Sequence, residues 1–152
     1  MRLGAGTFDF RPGLTYKTYG ENHSMGLQYQ ADIPVGKNYR GYRIGAEHRV
    51  NWWVARLVGL EKKLTLTYRI EGLFRDNDVG FDTQLGPDNM VISTNRPDMR
   101  SGEWVNFGYG LIYQLPGGGR FNVELAHPVY QHLRGVQLET DLSLAASFSK
   151  AF

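Results

Sequence analysis

The feature of this sequence that most constrains its fold is an alternation of apolar and polar residues at every second position. Successive side chains of a β-strand point to opposite faces, so this period predicts strands with one apolar face, and helical spacing fails in the same windows. The pattern recurs in segments separated by turn-forming residues, at 7–19, 24–35, 42–57, 63–75, 103–115, 120–133 and 140–152. The sequence therefore predicts an all-β, antiparallel, up-and-down sheet of about seven strands.

The connections between these segments differ in length. The polar stretch 76–102 holds several Asp, Pro and Gly residues with no sustained period, which predicts a long external loop within a single domain, 1–152. The run 116–119 is Pro-Gly-Gly-Gly and predicts a tight turn, because these residues dominate turns.

Pro128 predicts an irregularity in the segment 120–133. Proline cannot donate a hydrogen bond to a ladder, so a bulge is expected there. The parity of the segment assigns Val129 and Leu133 to the apolar face, and Tyr130 and His132 to the polar face.

Composition excludes several classes of protein. No window approaches the roughly 18 uninterrupted apolar residues of a membrane-spanning helix. The absence of cysteine excludes disulfides, thiolate metal sites and cysteine catalysis. The net charge is only +2 and basic residues are scattered among acidic ones, so no nucleic-acid partner is predicted.

The residues that most often carry chemistry form no recognisable motif. The four histidines have no metal-ligand spacing on one face, and no serine is singled out as a nucleophile. The acidic stretch 76–82 lacks the glycine placement and the distal Glu of an EF-hand, so a solvated loop is the simpler interpretation. The sequence therefore predicts neither an enzyme nor a metal or cofactor site.

The polar face of the predicted strands is crowded with charge. Its ionic residues suit a wet lumen crossed by ion pairs, although they would equally suit a solvated exterior. The predicted lumen-lining residues are Arg11, Arg43, Glu47, Arg49, Arg69, Glu71, Arg75 and Glu124.

The apolar face distinguishes a membrane barrel with a wet lumen from a soluble protein with a solvated exterior. It is rich in aromatic residues toward the predicted strand ends, as in the aromatic girdles at the two surfaces of a membrane barrel. These predicted interface aromatics are Tyr16, Tyr42, Trp52, Phe74, Tyr113 and Phe121. The sequence therefore predicts a transmembrane β-barrel in the bacterial outer membrane, with membrane lipid as a partner.

Loop lengths predict the orientation of the strands. Outer-membrane barrels have short periplasmic turns and longer external loops, and counting back from a periplasmic C-terminus places 76–102 outside. The same count leaves the N-terminus outside and the strand number odd, whereas bacterial barrels have even numbers. Residues 1–6 also lack a secretory signal. The sequence therefore predicts a C-terminal part of a larger barrel, with Met1 an internal methionine.

Three stretches resemble a known family. They are LGAGTFDFRPGLTY at 3–16, GYRIGAEHRVNWW at 41–53 and HPVYQHLRGVQLETDLSLAASFSKAF at 127–152. Together they resemble the C-terminal region of the outer-membrane transporters of the phenol-degradation meta-pathway family, most specifically in PVYQ…GVQLETD. The resemblance covers nearly the whole chain, and it implies a barrel that passes small organic compounds, including aromatic ones. It implies no catalytic residues.

The last strand resembles the assembly signal of outer-membrane proteins, which ends on an aromatic residue after alternating apolar positions. Phe148 and Phe152 occupy those positions, whereas Lys150 departs from the pattern. This resemblance implies the outer-membrane assembly machinery as a partner.

Three functions remain open on the sequence alone. The first is an outer-membrane channel or transporter for a small-molecule solute. The second is a soluble antiparallel β-barrel that binds a small apolar ligand inside it. The third is a non-conducting membrane anchor or adhesin that acts through loop 76–102. In the first case the charged rows either select solutes or pair with each other and plug the interior.

Overall fold

A computed structural model of the chain describes residues 6–59, 61, 63–85 and 95–150. These residues form one antiparallel sheet and a single 3-10 turn, Pro97–Met99. The strands are β1 (Phe8–Phe10), β2 (Gly13–Tyr19), β3 (His23–Val35), β4 (Glu47–Val58), β5 (Leu64–Arg75), β6 (Gly102–Gln114), β7 (Gly119–Leu133) and β8 (Ser143–Lys150).

The sheet has the predicted up-and-down topology. From β3 to β8 each strand pairs with the next one along the chain, and every pairing is antiparallel. β1 and β2 both pair with β3, and they correspond to the single predicted segment 7–19, interrupted at Arg11 and Pro12. Pro12 has no N–H, but its carbonyl accepts a hydrogen bond from the Ala31 N–H at 2.9 Å.

The two edges of the sheet do not meet. Within the described ranges β8 pairs only with β7, and β1 and β2 pair only with β3. The structure therefore has the predicted antiparallel sheet, left open at both edges.

The predicted segment 42–57 begins too early, and two site residues were assigned to it wrongly. β4 starts at Glu47, so Tyr42 and Arg43 lie in the preceding loop. Arg43 forms an isolated bridge with Val79, because the chain after β5 packs against this loop. The contact is close enough that a Cβ at Gly45 would collide with the Asp76 carbonyl.

The bulge predicted from Pro128 is confirmed. Asn106 pairs with Pro128 while Val105 pairs with Tyr130, so Val129 is the extra residue. The parity predicted beyond this point is wrong as a result. Tyr130 joins the apolar face opposite Val105, because the bulge shifts all later residues by one position.

The described residues contain almost no hydrophobic core. Ala31 is the one buried hydrophobic residue among them, at 1% exposure. The chain exposes 10732 Å², whereas a compact monomer of 17.3 kDa exposes about 7,800 Å². The apolar rows lie on an uncovered surface, where Leu144 is 68% and Phe148 62% exposed.

The polar face is the more shielded of the two. Along β5 the apolar-face residues Tyr68, Ile70 and Phe74 are exposed, while Arg69 and Glu71 between them are half-buried. This is the reverse of a soluble sheet packed on a core, and it is what a sheet curved around its polar face produces. No helix in the described part of the chain is long and apolar enough to cross a membrane.

Candidate functional site

The charged residues predicted to line a lumen share the polar face, apart from Arg43. Glu47 and Arg49 lie on β4, with Arg69, Glu71 and Arg75 on β5 and Glu124 on β7. Their positions in register place them on the same face as Asp32 of β3. Arg11, between β1 and β2, reaches this face by pairing with Asp32, at 2.9 Å from its Nε to the carboxylate.

Near the loop end of the strands, charged residues of both signs form one row across the sheet. Glu47 lies directly opposite Asp32 on one side and Arg75 on the other. Arg49 pairs with Glu47 along the same strand, at 3.1 Å. The Arg49–Glu47 pair is about one-third to one-half exposed, so it is worth roughly 0–1 kcal/mol and its role is mainly to order the face.

One ion pair spans a whole strand. Arg69 of β5 lies 3.0 Å from Glu124 of β7, although β6 runs between them. β6 presents Gly108 and Gly110 at this level, so no side chain stands in the way. A Cβ at Gly110 would lie 2.6 Å from Thr67 Oγ1 and 2.9 Å from the Val123 carbonyl oxygen. The two glycines therefore form the floor over which the ion pair lies.

Two tryptophans, Trp53 and Trp104, lie on the polar face although the sequence analysis did not assign them to it. Trp53 lies over Gly26, where an added Cβ would collide with the indole ring, and Lys17 Nζ lies 5.8 Å from the Trp53 ring centroid. Trp104 lies opposite Leu73, on the polar side of β6. Parity alone could have found both, because each sits at a position of the polar row.

A cavity of about 370 Å³ opens on this face. Its lining includes the Arg69–Glu124 pair, Glu71, Trp104 and Asn106. The charge of Arg69 is compensated by Glu124, whereas the Glu71 carboxylate has no ion pair in the described part of the chain. The cavity thus combines a net negative charge with an aromatic wall.

The connection from β7 to β8, residues 134–142, forms a strap beside this cavity. Gln131 Nε2 donates to the Thr140 carbonyl at 2.9 Å, and the Thr140 N–H donates back to Gln131 Oε1 at 3.2 Å. Gln137 Nε2 donates to the carbonyls of Ser101 and Arg134. Gln131 reaches the polar face only because of the bulge at Val129, and it places Thr140 in the cavity wall.

The described parts of the loop after β5, 76–85 and 95–101, are packed, not merely solvated. Asp78 is nearly buried: its Oδ1 accepts the Gly45 N–H at 2.9 Å, and its Oδ2 lies 3.3 Å from Arg100. Asp82 pairs with Arg40 at 2.6 Å, and this hydrogen bond lowers the pKa of Asp82. These contacts fasten the loop to residues 36–46.

The same contacts determine whether the acidic stretch 76–82 could bind a calcium ion. Within the stretch 76–82, the carboxylates of Asp78 and Asp82 are engaged by arginines and backbone N–H groups. No group of three or more potential His, Asp or Glu ligands comes together among the described residues.

The predicted interface aromatics fall into different places. Tyr113, Phe121 and Phe148 are direct neighbours in one row across β6, β7 and β8, on the apolar face. Tyr16 and Trp52 lie in the middle of their strands instead of at the ends. Phe74 lies next to the last residue of β5, and Phe152 lies outside the described residues.

Two of the histidines contact aromatic side chains of the apolar face. The Tyr29 hydroxyl lies 2.8 Å from His48 Nδ1, with the two rings stacked. His127 meets the rings of Phe107 and Tyr109 edge-on. These are packing contacts between rings, and they assemble no catalytic arrangement.

Comparison with models of known protein families, with curated proteins and with solved structures finds no match to this chain. The resemblance to the phenol-degradation meta-pathway family therefore stays a prediction from the sequence. The polar face, its cavity and the strap are the features from which a function is inferred.

Proposed function

We propose that this chain forms part of the wall of a bacterial outer-membrane β-barrel through which small solutes pass. The observation that carries the proposal is the inverted exposure of the sheet. From β3 to β7 its apolar rows are the more exposed and its charged rows the more shielded, whereas β2 and β8 are largely exposed on both faces. A spanning strand in lipid needs that arrangement, with apolar side chains toward the hydrocarbon and polar ones toward enclosed water.

Closure of the barrel requires strands beyond those described. The edges at β8 and at β1 and β2 carry unpaired backbone groups, which lipid does not tolerate. A barrel of this few strands would also enclose little more than its own side chains. We therefore place the sheet in the C-terminal part of a larger barrel, whose insertion involves the outer-membrane assembly machinery.

A second candidate is a non-conducting anchor or adhesin barrel. The contacts that favour it are those of Asp78 and Asp82, which fasten loop 76–101 to residues 36–46 and build a firm surface at one end of the sheet. A soluble barrel around an apolar ligand is less well supported. It needs the apolar rows turned inward, and those rows are the more exposed ones.

Conductance of the whole barrel protein of which this sheet is proposed to be a part, refolded in detergent and added to planar lipid bilayers, tests the proposal. Stepwise increases in current are expected. A tight seal, with the protein nevertheless floating with vesicles in a density gradient, would overturn the channel and support the anchor.

Two matched variants test whether the effect of an added positive charge on membrane insertion depends on the face of the sheet that carries it. Ile70→Arg places a cation on the apolar face at mid-strand, where lipid penalises it by about 2–4 kcal/mol, so membrane insertion should be lost. Gln28→Arg places the same charge on the polar face and should insert as the parent does. Equal insertion of both variants would contradict the assignment of faces.

A further inference from the structure

We propose that the polar-face cavity binds a small organic cation, with an ammonium group at Glu71 and an apolar body against Trp104. The inference rests on the proposed function, because the cavity faces the lumen only if the sheet is part of a barrel. It goes further by assigning the charge class of the solute.

Charge balance within the cavity is the first argument. Arg69 lies 3.0 Å from Glu124, so these two residues compensate each other. Glu71 also lines the cavity, and its carboxylate has no ion pair within the described ranges. The cavity therefore carries one uncompensated negative charge on a half-buried surface, where the attraction for a cation is stronger than in bulk water.

The neighbours of Glu71 supply further acceptors. Asn51 lies directly opposite Glu71 on β4, and Asn106 lies directly opposite it on β6. Asn51 Oδ1 is buried and has no hydrogen-bond partner among the residues that the structure describes. An ammonium group offers up to three N–H donors, which matches a carboxylate flanked by amide oxygens. An anion at this position would instead meet the Glu71 carboxylate.

The next row toward the loops supplies an apolar wall. Leu73 and Trp104 are directly opposite each other in register, and both line the cavity. An indole face attracts cations as well as hydrocarbon. The wall thus suits an alkyl or aryl group attached to the ammonium.

The strap adds negative charge at the mouth of the cavity. Thr140 lies in the cavity wall, and its chain neighbours Glu139 and Asp141 are exposed. Acidic residues at an opening raise the local concentration of cations. A solute approaching from the loop side therefore meets these acids before it reaches Glu71.

Three probes of equal size test the proposal: butylammonium, butyrate and butanol. Each is titrated by calorimetry into the full chain in detergent micelles. We expect saturable binding of butylammonium, at least tenfold weaker binding of butanol, and no binding of butyrate. Glu71→Gln should weaken butylammonium binding at least tenfold, because it removes the charge and keeps the shape. Glu71→Asp should restore part of it.

Glu103→Gln is the matched control. Glu103 is exposed on the opposite face of β6, opposite Phe74, so its neutralisation should leave binding unchanged. Equal affinity for butyrate and butylammonium, or equal loss in the Glu71 and Glu103 variants, would overturn the proposal.

The outcome is separable from that of the proposed function. Butylammonium binding without any bilayer conductance would contradict the proposed channel and support the proposed cation site. Conductance without butylammonium binding would contradict the proposed cation site only.

Discussion

At the scale of single residues, the glycines of β6 carry the most specific geometry of the polar face. Gly108 and Gly110 lie two positions apart on the same face, yet their surroundings differ. A Cβ at Gly108 would meet only ordinary contacts at 3.6 Å or more, whereas one at Gly110 would lie 2.9 Å from a backbone oxygen. Their tolerance of a methyl group should therefore differ.

We expect Gly110→Ala to lower the free energy of unfolding by about 1–3 kcal/mol, because the backbone of β7 must move to admit the methyl group. Gly108→Ala should change it by less than about 0.5 kcal/mol. Urea denaturation of both variants in detergent micelles, followed by tryptophan fluorescence, measures the difference. Equal destabilisation would mean that β6 does not approach Thr67 and Val123 as described.

Residue types on the polar face could be predicted from the sequence only in part. Parity placed the predicted ionic residues of β4, β5 and β7 on one face, but it misplaced Arg43, which lies outside the strands. It did not reveal that Arg69 pairs with Glu124, since that contact depends on which strands are neighbours and on the glycines between them. Glu71 could not be distinguished from the paired carboxylates for the same reason.

At the scale of the strands, hydrophobic alternation correctly predicted that the strands exist and the order in which they pair. The predicted segment 103–115 corresponds to Gly102–Gln114, and 63–75 corresponds to Leu64–Arg75. The prediction failed at the start of β4, because the pattern of residues 42–46 is compatible with a strand while the local partner is a loop. Long-range contacts of this kind override a local period.

The bulge in β7 is an element whose function can be tested by deletion. Pro128 faces the polar side and Tyr130 the apolar side, with Val129 as the extra residue between them. Removing Val129 therefore restores a regular alternation and leaves every other side chain on its own face. Removing Val123, which lies in the regular part of β7, would turn the strand over beyond that point.

We expect the Val129 deletion to fold in detergent micelles with a modest loss of stability, of about 1 kcal/mol, and the Val123 deletion not to fold. Circular dichroism melting curves of the two variants provide the measurement. If both deletions prevented folding equally, the register across β6 and β7 would be wrong.

At the scale of the whole molecule, the decisive property is which face of the sheet is covered, and this property has no local signature. The sequence predicted one apolar and one charged face; the charged face suits a soluble barrel and a membrane barrel equally, and only the aromatic residues of the apolar face favoured the membrane barrel. The uncovered apolar rows and the near absence of buried hydrophobic residues in the described ranges support the membrane barrel proposed above. In the described residues the sheet is open at β8 and at β1 and β2, so the proposed barrel needs further strands at these edges.

Cysteine labelling along β5 tests that assignment directly, because the chain contains no cysteine of its own. Single substitutions at Thr65 and Thr67 place a thiol on the polar face, while those at Leu66, Tyr68 and Ile70 place it on the apolar face. In lipid vesicles a charged, water-soluble maleimide should label the polar-face thiols at least tenfold faster. A thiol facing hydrocarbon is screened from the reagent and is not readily ionised there. Fast labelling at the apolar positions with slow labelling at the threonines would mean that the apolar rows contact water. The sheet could not then form the wall of a membrane barrel.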